Sequence, residues 1–180
     1  MVTRSHRAAV ITREWVILVY RIPPQPTRLR AQVWRHLQRV GAIYLQDSIS
    51  IVPATRELTE NMRWIADEIR EMGGEALVFR ATTTSPKDEG RIEHLFSGVS
   101  RTEAGKLLDA LRGVEGRLRT SAPPQALTEA EDELRRIRQA ALKLRLRSHF
   151  PVAEEEALHK RLRAARDRLD RHALRAARRR

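Results

Sequence analysis

Apolar positions along the first half of the chain switch between a strand rhythm and a helix rhythm. Trp15 to Arg21 (WVILVYR) opens with a six-residue apolar run, rich in β-branched and aromatic residues and halted by Pro23 and Pro24, which predicts a buried strand. Leu29, Val33, Leu37 and Val40 then recur at helical spacing, with Pro26 and Thr27 at the start and Gly41 as the stop. Two short strand-like runs follow, Ala42 to Leu45 and Ile49 to Val52, separated by the turn residues Gln46, Asp47 and Ser48 and closed by Pro53. Leu58, Met62, Ile65, Ile69 and Met72 step along a second helix that stops at Gly73 and Gly74, and Ala76 to Phe79 supplies a fourth strand. The predicted order is βαββαβ. Two βαβ crossovers around a central hairpin generate an α+β ferredoxin-like sandwich, one antiparallel sheet with both helices on one face. The first strand shows no polar alternation, so its second face also needs cover, from the rest of the chain or from a second copy in a homodimer through the sheet face.

The second half is helical throughout. Ser85 as cap and Pro86 in the first turn start a helix carried by Ile92, Leu95, Phe96 and Val99 and then by Leu107, Leu108 and Leu111, up to Gly113 and Gly116. Thr120 to Gln125 (TSAPPQ) reads as a linker. Thr128 and Glu131 form a capping box ahead of Leu134, Ile137, Ala141 and Leu144, and after the break at Phe150 and Pro151 the positions Leu158, Leu162, Ala165, Leu169, His172 and Ala176 form another apolar stripe. Two such stripes pack as an antiparallel helical hairpin. The expected organisation is a basic N-terminal tail over 1–14, the ferredoxin-like domain over 15–84, a connecting helical segment over 85–119, a linker over 120–127 and a basic hairpin over 128–180.

Charge changes this picture. The chain has 35 Lys and Arg against 23 Asp and Glu, a formal net charge of +12 over 180 residues, and nine of the last twenty residues are Arg. Acids at the front of both hairpin helices and bases at the back suit the helix dipole, which accounts for much of the segregation. Residues 134–147 nevertheless hold Arg135, Arg136, Arg138, Lys143, Arg145 and Arg147 with no acid, a surplus that attracts polyanions. Arginine so outnumbers lysine, with only Lys87, Lys106, Lys143 and Lys160, that coding bias is the competing explanation. Other chemistry is missing from the sequence. There is no Cys, the six His show no metal-ligand pairing, and no Gly-rich phosphate loop or nucleophile elbow appears. No cofactor is expected. The longest apolar run falls far short of the roughly 20 residues that span a bilayer, and no leader-like cleavage site follows the basic start, so a cytoplasmic protein with no membrane association is expected. Trp34 and Trp64, on the two predicted helices, read as packing anchors, and His172 as a packed or rim imidazole.

The succession WVILVY, RAQVWRHLQRVGA, a short hairpin ending in Pro53, and WIADEIREMGGEA resembles the N-terminal domain of ChrB, the chromate-resistance regulatory protein. The likeness runs on into the predicted hairpin, where Arg147, Ser148, His149 and Phe150 stand at the family's Arg-Asp-aromatic-Phe stretch, with Ser148 in place of the acid. Ala104 and Gly105 stand where an aromatic is expected. The resemblance implies a cytoplasmic transcriptional regulator that binds promoter DNA of a chromate-resistance operon and responds to chromate. It also implies a distant likeness to the repressor PaaX, whose central domain is similar to the small ferredoxin-like nucleases of CRISPR systems. Those nucleases hold a divalent metal with an acid at the end of the first strand, where this chain has Tyr20 and Arg21, so a non-enzyme is expected.

On this reading Arg28, Arg30, Arg35 and Arg39 of the first helix, with Arg135, Arg138, Lys143, Arg145, Arg147, Arg161, Arg163 and Arg166 of the hairpin, contact DNA phosphates. Arginine forks equally suit chromate or another oxyanion. The alternative is a non-catalytic interaction module, an accessory subunit pairing with a partner that carries the C-terminal domain found in longer family members. RNA binding is disfavoured by the few aromatics.

Overall fold

A computed structural model describes residues 13–23, 27–118 and 123–177, with nothing said of the side chains of Thr27, Pro124 and residues 175–177. Residues 1–12 of the N-terminal tail, Pro24, Pro26, Thr120 to Ala122 of the TSAPPQ linker, the side chain of Ala176 and the final arginines therefore lie outside the described residues. The chain divides into two compact units, Met1–Leu95 and Phe96–Arg180.

In the first unit β1 (Glu14–Arg21), α1 (Thr27–Arg39), β2 (Ile43–Gln46), β3 (Ile49–Pro53), α2 (Arg56–Glu71) and β4 (Glu75–Thr82) follow in the βαββαβ order. The sheet order is β2-β3-β1-β4, and every neighbouring pair is antiparallel. One core joins Val16 and Leu18 of β1 and Val52 of β3 to Val33 and Leu37 of α1 and to Leu58, Met62, Ile65 and Ile69 of α2. The helical steps read from the sequence are thus the buried rows. Thr55 caps α2 by accepting the Leu58 N–H at 3.2 Å. Gly41 (φ 70°) and Gly73 (φ 79°) take the left-handed conformation that ends a helix. Gly74 lies so close to the preceding helix and strand that a Cβ would meet Arg21 O and Ile69 Cγ2 at 2.7 Å. Near the C-terminal end of β1, Tyr20 and Tyr44 pack on the edge of the core, and burial, reinforced by the hydrogen bond to Tyr44, pushes the Tyr20 phenol far above its ordinary value.

The opposite face of the sheet is covered in part. The first turn of α3 (Pro86–Arg117) is capped by Ser85, whose hydroxyl accepts the Asp88 N–H at 3.1 Å. Glu89 of that turn accepts from Trp15 Nε1 at 3.1 Å and from the Thr83 hydroxyl at 2.7 Å, and Glu93 pairs with Arg13 at 3.0 Å. Trp15 is buried there, whereas Leu77 and Phe79 of β4 remain 58% and 48% exposed.

Two tryptophans depart from expectation. Trp34 and Trp64 are 54% and 55% exposed and are not packing anchors. A helix turns about 100° per residue, which sets Trp34 one residue off the Val33–Leu37 row and Trp64 nearly opposite the Met62–Ile65 row.

In the second unit the rest of α3, α4 (Pro124–Arg147) and α5 (Ala153–Ala177) share a core of Leu111, Val114, Leu134, Ile137, Ala141, Leu158, Leu162, Ala165 and Leu169. The capping box expected at Thr128 and Glu131 is not where α4 begins. Pro123 holds the cap position at φ −61° and ψ 155° and Pro124 opens the helix, since a ring-fixed φ suits a first turn and a missing N–H costs nothing there. The acids from Glu129 to Glu133 consequently fall beyond the first turn, which has no acidic residue, and Glu131, Asp132 and Glu133 form ion pairs instead of meeting the helix dipole. α5 does begin with Glu154, Glu155 and Glu156 as the dipole favours. His172 sits at the rim, with Nε2 2.9 Å from Leu118 O.

Candidate nucleic-acid interface

α4 and α5 line a groove of about 1430 Å³ in the second unit. Arg135, Arg138, Leu142 and Arg145 reach it from α4 at steps of three, four and three, and His159, Arg163 and Arg166 from α5 at steps of four and three. Those intervals place each set on one side of its helix. Leu134 and Leu162 form a buried floor, while Leu142 is 57% exposed within it. The α4–α5 connection closes one end. There the Ser148 hydroxyl donates to Glu155 Oε1 at 2.6 Å and lies 3.1 Å from the Ser100 hydroxyl, and Glu155 is only 7% exposed.

The arginines expected to bind anions separate into two kinds. Arg138, Lys143, Arg145 and Arg163 make no ion pair or hydrogen bond among the described residues, and all four are exposed. Arg138, Arg145 and Arg163 face the groove, and Lys143 does not line it. Arg135 and Arg166 line it with partial neutralisation, Arg135 pairing with Asp132 at 3.4 Å and Arg166 with Asp170 at 3.1 Å and Glu131 at 3.5 Å. Arg147 and Arg161 are committed elsewhere. Arg147 donates to Glu103, and Arg161 grips Glu115 with a fork at 3.1 Å and 2.7 Å. That hydrogen-bonded carboxylate raises the Arg161 pKa further. Together with the Arg117–Glu133 pair and the 3.3 Å Arg101–Glu154 contact, these bonds tie α3 to the two groove helices. Phe96 adds a ring contact to each of His149 and Phe150, at 5.7 Å and 5.3 Å between centroids.

The first unit carries its own basic row. Arg28, Arg35 and Arg39 share one side of α1 with Gln32, Arg30 stands further round, and no acid occurs on the helix. All four arginines are exposed and unpaired among the described residues. Beside the row Gln32 and His36 are held by Glu68 of α2 at 2.5 Å and 2.8 Å, and the Trp64 ring lies 4.9 Å from the His36 ring. Sequence reasoning missed this exposed aromatic beside a basic row. The signal was present, because Trp64 falls outside the apolar steps of its helix.

The family model for the N-terminal part of protein ChrB matches residues 30–179. The chain belongs to this family. It is thereby of the chromate-resistance regulator type. The ChrB N-terminal match takes in the whole groove and all of the α1 row except Arg28. In this chain the segment Arg147 to Phe150 is structural: Arg147 binds Glu103, Ser148 ends α4 and binds Glu155, and the two rings pack on Phe96. No curated protein and no solved structure shows significant similarity to the chain. Among the described residues no group of three His, Asp or Glu side chains comes together as a metal site, and no helix is long and apolar enough to cross a membrane.

Proposed function

We propose that this chain is a non-catalytic, DNA-binding transcriptional regulator of chromate resistance, and that its α4–α5 groove grips anions. The observation that carries the reading is the convergence of Arg138, Arg145 and Arg163, all unpaired, on one groove together with Arg135 and Arg166. Guanidinium groups that have carboxylate partners gain little from a phosphate, whereas unpaired ones release counterions when they meet one. The α1 row Arg28, Arg35 and Arg39 offers a second set of phosphate contacts. Chromate, a tetrahedral dianion, suits the same forks, so it would act by competing with the DNA backbone for groove arginines. A ferredoxin-like sandwich for the first unit is supported by its element order and by the strand order β2-β3-β1-β4. An antiparallel hairpin of α4 and α5 is supported by their common core. The non-enzyme reading is supported by the end of β1, where Tyr20 and Arg21 stand in place of an acid and Arg21 pairs with Glu75 at 2.8 Å.

A mobility-shift titration on duplex DNA upstream of the neighbouring genes, with added chromate or sulfate, tests the reading. A shift that chromate reverses at concentrations where sulfate does not supports it; DNA binding indifferent to both would remove the chromate step. A second reading is favoured by the exposed Leu142 on the groove floor, which suits the apolar side of an acidic helix from a protein partner. Co-purification of such a partner with no affinity for DNA would select it.

A further inference from the structure

The two edges of the sheet are built differently. β2 has four residues and a register shift between Tyr44 and Gln46, which blunts it as a template for further pairing. β4 pairs with β1 in unbroken register from Glu75 to Thr82 and contains neither Pro nor Lys. Its outward groups follow from the alternation of the ladder. Glu14 O accepts from Ala54 N, and Tyr20 N donates to Ser48 O, so the even-numbered residues of β1 point their backbone groups toward β3. Trp15, Ile17 and Val19 therefore point toward β4, where Ala81, Phe79 and Leu77 answer them. Ala76, Val78 and Arg80 are left pointing off the sheet. The Arg70 guanidinium covers the Ala76 carbonyl at 2.8 Å and 3.1 Å, as this alternation requires. What stays open at this edge, among the described residues, is the N–H of Ala76 and the N–H and C=O of Val78, Arg80 and Thr82.

We infer that the β4 edge pairs with the β4 edge of a second copy of this chain, antiparallel about a two-fold axis at Phe79, extending the sheet to eight strands. In that register Val78 stands opposite the partner subunit's Arg80, and Arg80 opposite the partner subunit's Val78. Val78 and Arg80 exchange donors and acceptors with their counterparts next to the axis, and the arginine-covered Ala76 carbonyl falls at the outer end of the ladder, opposite the partner subunit's Thr82. An axis at Val78 would instead set that carbonyl opposite the partner subunit's Arg80, in the middle of the ladder. Phe79 meets the partner subunit's Phe79 as a non-hydrogen-bonded pair, the arrangement in which side chains stand closest. Leu77 flanks it on the same face, so the pairing covers the two large apolar side chains that β4 leaves exposed. This inference stands apart from the anion reading, because it uses no arginine of the groove or of α1.

The chain has no Cys, so one introduced thiol reports on one position. Sedimentation of the full chain is expected to give twice the monomer mass. Oxidised Phe79→Cys is expected to run as a disulfide-linked dimer, and Leu77→Cys to stay unlinked, because two such residues would lie about 13 Å apart along the strands, beyond disulfide reach. Val78→Pro deletes an N–H that the β1 ladder does not use, so it is expected to halve the sedimenting mass and keep the helical circular-dichroism spectrum. A wild-type monomer overturns the inference. So does a dimer that survives Val78→Pro in a folded state, or one in which Leu77→Cys cross-links and Phe79→Cys does not. If Val78→Pro fails to fold, the cysteine pair decides alone.

Discussion

Arg161 and Arg163 are two residues apart on α5, yet only Arg161 has a carboxylate partner, so the proposed anion grip gives them opposite work, and replacing each by Ala separates the two. The Arg161 fork holds Glu115 with side-chain exposures of 32% and 14%. Exposed ion pairs contribute about 0.2–1 kcal/mol, while breaking a buried one costs about 3–5 kcal/mol, so a half-buried bidentate pair sits near 2 kcal/mol. Arg161→Ala is therefore expected to lower the unfolding free energy by about 2 kcal/mol in a urea titration with unchanged slope. Arg163 touches no acid, and its truncation is expected to leave stability within about 0.5 kcal/mol. DNA binding reverses the order. Arg163→Ala removes one phosphate contact and flattens the plot of log affinity against log salt by about 0.9, while Arg161→Ala leaves that slope alone. If Arg161→Ala proved thermodynamically silent, or if it rather than Arg163→Ala flattened the salt dependence at full stability, the division of arginines into structural and anion-binding kinds would be wrong.

Three further outcomes are expected. Ser50 is fully buried and its hydroxyl has no hydrogen-bond partner among the described residues, so Ser50→Ala should raise stability by about 1 kcal/mol, measured by urea unfolding; a loss would mean the hydroxyl is satisfied. Gly74→Ala would press a Cβ to within 2.7 Å of the Arg21 carbonyl oxygen, a backbone atom that cannot swing aside, and should lower stability by more than about 1 kcal/mol; a neutral result would disprove the close approach. Trp15 is 1% exposed, unlike Trp34 and Trp64, so the double variant Trp34→Phe/Trp64→Phe should emit at shorter wavelength and resist acrylamide quenching; freely quenched emission would place Trp15 at the surface.

Sequence periodicity located the strands and helices of the first unit because each signal there was local. The apolar steps of α1 and α2 are the rows that became buried, and Gly41 and Gly73 stop helices because only a residue without a Cβ takes their positive φ at no cost. The start of α4 was misread from equally local information. A Thr and a Glu three residues apart look like a capping box anywhere, but Pro123 and Pro124 fix the backbone earlier. The basic rows were legible as charge, whereas their partition was not. Whether an arginine is unpaired depends on acids distant in sequence, such as Glu103 for Arg147 and Glu115 for Arg161, and the three helices must pack before those meet. Nor could composition reveal that Arg138 and Arg145 look across a groove at Arg163, since that needs the relative rotation of two helices.

Equilibrium binding of the wild-type chain to upstream duplex DNA across a series of salt concentrations, followed by fluorescence anisotropy, tests the anion-gripping claim most directly. The account predicts a straight log–log decline whose slope corresponds to several neutralised phosphates. No binding at the lowest salt, or an affinity indifferent to salt, would contradict it.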